Sequence, residues 1–100
     1  MIPKGCTCEN SFSIPYDKEE IATLLITYQQ NKVNVVEKTL DDCSFVDGKI
    51  YIVLSQEDTL KFNDEESIEI QIRIKLNNGV VTKCKIIKTY TDRVLNDGVI

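Results

Sequence analysis

The ten residues Ser67–Leu76 alternate apolar and polar side chains without a break. Successive side chains of a β-strand point to opposite sides of a sheet, so this run predicts a strand that is buried on one side only. On a helix, the same alternation would spread the apolar side chains around the whole circumference and leave no single apolar face, so it argues against a helix. The predicted buried row consists of Ile68, Ile70, Ile72, Ile74 and Leu76.

A second strong signal is the dipeptide Asp47-Gly48, which lies between two short strand-like runs. Asp-Gly is a preferred sequence for a two-residue type I′ turn, because both central residues of that turn need a positive φ. The turn would set Phe45 opposite Ile50 and Cys43 opposite Ile52. All four side chains would then share one apolar face, so the turn and the hydrophobic pattern agree.

The loop after the alternating strand reads Asn77-Asn78-Gly79. A two-residue turn there would place lysines on the isoleucine face, which is costly. A three-residue loop with its glycine in the left-handed region instead pairs Ile74 with Thr82 and Ile70 with Ile86. We therefore expect a three-residue loop and one continuous returning strand that ends near residue 90.

Three more strands and two helical turns complete the prediction. The strands are Ser11–Ile14, Ala22–Gln29 and Lys32–Leu40, the last with a β-bulge at its adjacent valines. Ser55 is predicted as the N-cap of one helical turn, and Asp17 as the start of a capping box in another. A plain surface turn with solvated charges fits residues 17–20 equally well.

About seven short strands with regular turn signals predict an all-β fold, an antiparallel β-sandwich with one or two short helical turns. One hundred residues is the size of one domain, so we expect a single domain over residues 1–100. Residues 1–9 are expected to form a loose N-terminal arm. Residues 91–100 are expected to form a C-terminal tail in which Val94 and Leu95 dock on the body.

Composition narrows the classes of function. The formal net charge is −4 and the pI is near 4.8, which argues against a nucleic-acid partner, because such binding needs a basic surface. No run approaches the roughly 18 apolar residues of a membrane span, so no membrane partner is expected. The first residues lack the apolar core of a signal peptide, so we expect a reducing compartment.

The residues that usually carry chemistry are missing or badly spaced. There is no histidine to act as the base for a serine or cysteine nucleophile. The acid pairs at 19–20, 41–42 and 65–66 are adjacent in the chain, which favours solvated loops over opposed catalytic carboxylates. A weak calcium site at Asp41, Asp42 and Asp47 lacks the full ligand pattern. The sequence therefore predicts a protein that is not an enzyme, with no catalytic, cofactor-binding or metal-binding residue.

The four cysteines are expected to be free thiols. Cys6 and Cys8 are separated by one residue, which differs from the spacing of structural zinc sites. Cys43 and Cys84 read as small core residues. We therefore predict no disulfide and no cofactor or bound metal under reducing conditions.

The polar side of the main hairpin is basic. The three-residue loop sets Arg73 opposite Lys83, with Lys75 beside them, and like charges directly opposite destabilise a sheet. Splayed, solvated side chains explain the arrangement simply. An acidic patch on a neighbouring subunit is the alternative explanation.

Six short segments carry a resemblance to known proteins. They are Phe12–Tyr16, Ile26–Gln30, Glu37–Cys43, Leu54–Phe62, Ile70–Ile74 and Val94–Ile100. Together they resemble a family of small proteins encoded near the virion structural genes of tailed phages and prophages of Gram-positive bacteria. The first half of the chain is also similar to the N-terminal β-domain of some upper-baseplate proteins. The likeness covers most of residues 11–100 and includes no catalytic motif.

This resemblance implies a structural or adaptor component of a phage tail, baseplate or neck. Such a component would be made in the host bacterial cytoplasm and located in the virion. Its expected partners are other virion proteins and, through self-association, the chain itself. The alternative is a host-surface carbohydrate- or protein-binding module, for which one outward-facing aromatic, Tyr51, is the only support.

Overall fold

Eight strands form two antiparallel sheets that pack face to face, in a computed structural model that describes all residues from Met1 to Ile100. The predicted antiparallel β-sandwich is confirmed. The strands are β1 (Cys8–Ser13), β2 (Ile21–Gln30), β3 (Val33–Thr39), β4 (Cys43–Val46), β5 (Lys49–Leu54), β6 (Ser67–Leu76), β7 (Val81–Lys83) and β8 (Ile87–Tyr90). One helix, α1 (Gln56–Leu60), and two 3₁₀ turns, Lys18–Glu20 and Leu40–Asp42, complete the chain.

The small sheet has the order β1-β5-β4, and the large sheet has the order β3-β2-β6-β7, with β8 also paired to β6. Their inner faces enclose the core, as sheets do in sandwiches. The buried apolar residues come from both sheets, from the N-terminal segment and from the connection between α1 and β6. They are Ile2, Ile21, Leu24, Ile26, Tyr28, Val36, Ile50, Ile52, Leu54, Phe62, Ile68, Ile70, Ile72 and Ile74.

Strand β6 lies at the centre of the large sheet and has the predicted alternation. Its four isoleucines are all buried, with at most 5% of their surface exposed, whereas Leu76 at the end of the strand is half-buried. On one side β6 pairs with β2, so that Ile72 lies opposite Ile26 and Ile70 opposite Tyr28. Burial of this row on the central strand explains why the rest of the fold is arranged around it.

The β4–β5 hairpin has the predicted register. Phe45 pairs with Ile50 and Cys43 pairs with Ile52. Asp47 has φ 49° and Gly48 has φ 77°, as a type I′ turn requires.

The return from β6 follows the prediction only over its first half. Gly79 has φ 89° and closes the three-residue loop, and Ile74 pairs with Thr82. Farther on, Ile70 pairs with Ile87 and not with Ile86, so the predicted continuous strand is wrong. One extra residue between β7 and β8 divides the strand in two.

The extra residue decides which side chains face the core. A continuous strand would have turned Lys88 toward the isoleucine row, where a lysine is costly to bury. The bulge reverses the facing of every residue after it. Lys88 is consequently exposed, whereas Thr91 is completely buried.

Strands β2 and β3 contain two further irregularities. The expected bulge is confirmed, because Tyr28 pairs with Val36 while the next residue of β2 already pairs with Asn34. The connecting turn is Asn31-Lys32, both with positive φ, one residue later than predicted. The alternation along Ala22–Gln29 predicts Ala22 on the same inward face as Leu24, Ile26 and Tyr28. Ala22 is instead exposed, because a bulge at the start of β2 places Ile21 in the core.

The two helical turns have different caps. The Ser55 hydroxyl accepts a hydrogen bond from the Asp58 backbone N–H at 3.1 Å, and the Asp58 carboxylate accepts the Ser55 N–H at 3.0 Å, so the predicted N-cap is confirmed. The turn at Lys18–Glu20 also forms. Its predicted capping box is wrong, because the Asp17 side chain makes no capping hydrogen bond.

The expectation of a loose arm over residues 1–9 is wrong at both ends of that segment. Ile2 is 2% exposed, and its N–H donates to the Tyr90 carbonyl at 2.8 Å. Strand β1 already begins at Cys8. In the C-terminal tail Val94 is half-buried as expected, whereas Leu95 is 91% exposed and does not dock.

Candidate interaction surface

The acidic and sulfur-containing side chains do not assemble into a reactive centre. No three Cys, Asp or Glu side chains come together in a way that could hold a metal ion. All four cysteines are free thiols. Burial raises the pKa of the Cys43 thiol to about 11, and burial together with Cys6 raises the pKa of Cys8. Both thiols are therefore held in the protonated form, which is a poor nucleophile.

The buried polar side chains have structural partners. The Asn10 side chain donates to the Tyr28 hydroxyl at 2.8 Å, and burial raises the pKa of Tyr28 to about 12. Gln30 donates to Thr91 at 2.8 Å and so connects the end of β2 to the C-terminal segment. No buried side-chain nitrogen or oxygen lacks a hydrogen-bond partner. The interior therefore presents no unsatisfied group to a ligand.

One ion pair lies at the rim of the core. The Lys38 ammonium contacts the Asp58 carboxylate at 2.9 Å, with 18% and 15% of the two side chains exposed. Burial alone would raise the pKa of Asp58, but hydrogen bonds from Lys38 and Ser55 hold it below its ordinary value. The pair joins β3 to the cap of α1 and has a structural role.

The far edge of the large sheet, formed by β7 and β8, differs from the rest of the surface. No strand lies beyond β7. Five of the twelve exposed large hydrophobic residues of the chain lie within residues 80–90, which contain β7 and β8. They are Val80, Val81, Ile86, Ile87 and Tyr90.

The backbone of β7 is open on its outer side. The Val80 carbonyl accepts the Leu76 N–H at 2.8 Å, and the Cys84 N–H donates to the Ile72 carbonyl at 3.0 Å. Hydrogen bonding alternates along an antiparallel strand, so the intervening Val81 and Lys83 direct their N–H and C=O groups away from β6. These groups form a free edge of the kind that templates pairing with another chain.

A groove follows this edge on its core-facing side. Its volume is about 200 Å³, and it lies between β7 and the segment that leaves β1. Apolar side chains dominate its lining, which includes Ile14, Tyr16, Ile72, Ile74 and Cys84.

The opposite face of the same edge is basic. Arg73 lies directly opposite Lys83, as predicted, and Lys75 lies opposite Val81. Residues 67–91 carry five basic side chains and one acidic side chain, a net charge of +4, whereas the rest of the chain carries seven basic and 15 acidic side chains, a net charge of −8. None of the five bases forms an ion pair, since the pairs within 4.0 Å involve other lysines.

Sequence analysis located part of this surface. The facing of Arg73 and Lys83 followed from the loop length. The groove was missed, because one of its walls is residues 13–16, which no local pattern places beside β7. Tyr51 faces away from the core opposite Ser44, as predicted, but it is half-buried, and Tyr90 is the more exposed aromatic at 55%.

Comparisons with known proteins provide little further information. No protein-family model and no curated protein matches the chain. Among solved structures, the chain is similar to the V domain of amphioxus IgVJ-C2, with 13% sequence identity and a TM-score of 0.36 over 91% of this chain and 97% of that one. A similarity of this size carries no argument about function. No helix of the structure has the length and apolar character needed to cross a membrane.

Proposed function

We propose that the protein is a non-enzymatic assembly protein that docks on other protein chains through the β7–β8 edge. The observation that carries the proposal is the concentration of exposed apolar side chains within residues 80–90, next to the unpaired outer backbone groups of β7. β7 is only three residues long and carries Lys83, but the unpaired N–H and C=O groups of an exposed edge can still pair with another chain. An edge that is left open therefore favours a partner.

The sequence resemblance supports a proposal for the particle in which this protein assembles. We infer that the chain is a structural or adaptor component of a tailed-phage virion, in the tail, baseplate or neck. It would be made in the bacterial cytoplasm and would then be incorporated into the particle. Its partners would be other virion proteins and, by self-association, further copies of the chain. No family model matches the chain, so the support for a role in the phage virion is the set of six sequence segments that carry the resemblance.

Quantitative mass spectrometry of phage particles purified from a strain that carries the gene tests the proposed role in the virion. We expect the chain at a fixed ratio to the tail proteins. Light scattering on the purified protein tests self-association against the monomer mass of 11.4 kDa. A strict monomer at high concentration that is also absent from the particles would contradict the proposal. A chain present in particles but monomeric in solution would retain the adaptor role and exclude self-association.

A further inference from the structure

We infer that the free edge of β7 accepts an extended strand from a partner protein, in which acidic residues alternate with apolar ones. The inference rests on the proposed function and names the chemistry of the partner. It follows from three features of one edge: an open backbone, an apolar groove on one side and unpaired bases on the other. Strand addition supplies affinity through the main chain and specificity through alternate side chains.

The backbone sets the conformation of the partner. Val81 and Lys83 each direct one N–H and one C=O away from β6, which gives four groups for a new strand. The end of β8 is already occupied, because the Tyr90 carbonyl accepts the Ile2 N–H. The partner strand is therefore confined to the part of the edge beside β7, away from residue 90.

The two sides of the edge determine which residues the partner needs. Side chains on the core-facing side of an added strand would enter the groove lined by Ile14, Tyr16 and Cys84, which favours apolar residues. Side chains on the other side would lie beside Lys83 and within reach of Arg73. Carboxylates there would relieve the repulsion between two bases that face each other without a counter-ion.

A different protein fits this edge better than a second copy or a nucleic acid. The other edge strands of this chain do not alternate acids with apolar residues: β1 carries one acid, Glu9, β3 carries one, Glu37, and β4 carries none. Outside residues 67–91 the net charge of −8 repels a polyanion such as nucleic acid. A short acidic strand needs to meet only the basic edge, so this repulsion affects it least.

The probe is a blocked, fluorescein-labelled peptide of about ten residues that alternates glutamate with valine, long enough to form one strand. A matched peptide with lysine in place of glutamate is the charge control. Binding is followed by fluorescence anisotropy, and the site by amide hydrogen exchange and chemical shifts. We expect the acidic peptide alone to bind, to protect the Val81 and Lys83 amides from exchange, and to release at high salt.

Two sets of variants separate the charge from the backbone. Arg73→Glu with Lys83→Glu should weaken binding by about tenfold or more, because like charges would then face the peptide. Lys32→Glu with Arg93→Glu makes the same change in net charge at two exposed sites outside β7 and its groove, and should leave binding unchanged. Val81→Pro removes a free-edge N–H without removing a hydrogen bond to β6, and should abolish binding while the protein stays folded.

Each contrary result overturns a defined part of the inference. Equal binding of the lysine peptide, or unchanged binding to the Arg73→Glu and Lys83→Glu variant, would show that the partner strand is not selected for acidic residues. Unchanged binding to Val81→Pro would remove strand addition. Tighter binding of a single-stranded DNA at the same amides would identify a nucleic acid as the ligand of the edge. Self-association that protects these amides without peptide would identify a second copy of the chain as the ligand. If the chain is present in particles but any of these results is found, the proposed function stands and this inference fails.

Discussion

Alternate residues of the ten-residue strand β6 form its two faces, and these faces have very different surroundings. On the inner face, four isoleucines are nearly inaccessible to solvent and pack against the small sheet. On the outer face, Arg73 and Lys75 are exposed and form no ion pair. Burial of a large apolar side chain contributes about 1.5–3 kcal/mol, whereas even a paired charge on the surface contributes only about 0–1 kcal/mol. Stability is therefore concentrated on one face, and the other is available for a partner.

The largest expected effect comes from the inner row. Ile72→Ala should lower the free energy of unfolding by about 2–5 kcal/mol, because the missing side chain leaves a cavity between the sheets. Urea titration measures the loss, and Arg73→Ala on the next residue, with an expected change within about 0.5 kcal/mol, is the matched control. Equal losses in the two variants would show that the faces do not differ in the way described.

The next effect is the pH dependence of the one tyrosine in the core. The pKa of Tyr28 is raised to about 12, so between pH 10 and 12 the phenol ionises in the unfolded chain first. Stability from this group is complete below about pH 10 and falls by up to about 2–3 kcal/mol as the pH rises to 12. Tyr28→Phe should remove this part of the alkaline loss in denaturant titrations. Parallel curves for the two proteins would mean that the hydroxyl is not buried.

A smaller effect is expected at the rim of the inner face, where Lys38 is the one charged side chain that β3 directs inward. Asp58 has a lowered pKa, so its contribution is present above about pH 4 and is lost as the pH falls through the lower folded-state value. Asp58→Asn should therefore flatten the acid limb of a stability–pH curve and cost about 1–3 kcal/mol at pH 7. Acid limbs that coincide for the two proteins would argue against the Lys38 contact.

The smallest expected effect is on the outer face and has the opposite sign. Lys83→Gln should raise the free energy of unfolding by about 0.2–0.5 kcal/mol at low salt, because it removes a like charge opposite Arg73. The gain should disappear at high salt, where the repulsion is screened. Lys49→Gln, at an exposed base in the β4–β5 hairpin, is the control and should change little. A loss of stability on substituting Lys83 would mean that its side chain is used within the fold.

The parts of the fold that the sequence predicts are those in which a local pattern leaves one solution. The alternation in β6 and the Asp47-Gly48 turn are of this kind, because a shift of one residue would place polar side chains in the core. Ile86 and Ile87 are adjacent and equally apolar, so either could have faced Ile70. The signal that decides between them lies farther along the strand, at Lys88, which a continuous strand would have turned toward the isoleucine row.

The candidate surface divides in the same way. The opposition of Arg73 and Lys83 depends on the length of one loop and was predicted. The groove depends on how residues 13–16 leave the small sheet and approach β7, which is a contact between segments distant in sequence. Ile2 and Thr91 form an isolated parallel β-bridge, in which the Ile2 N–H donates to the Tyr90 carbonyl. This contact is also between segments distant in sequence and was likewise missed. Single-sequence reasoning locates charges on a strand better than it locates the second wall of a cleft.

The bridge between Ile2 and Thr91 has a consequence for the order of folding. Almost the whole chain separates the two residues, so Ile2 emerges from the ribosome long before the segment that buries it exists. Until then its side chain has no native site, and closing so long a loop is among the entropically costly steps that slow β-rich proteins. The N-terminal segment therefore cannot dock until β8 has been made, and a nascent chain stalled before that point would leave the Ile2 side chain exposed.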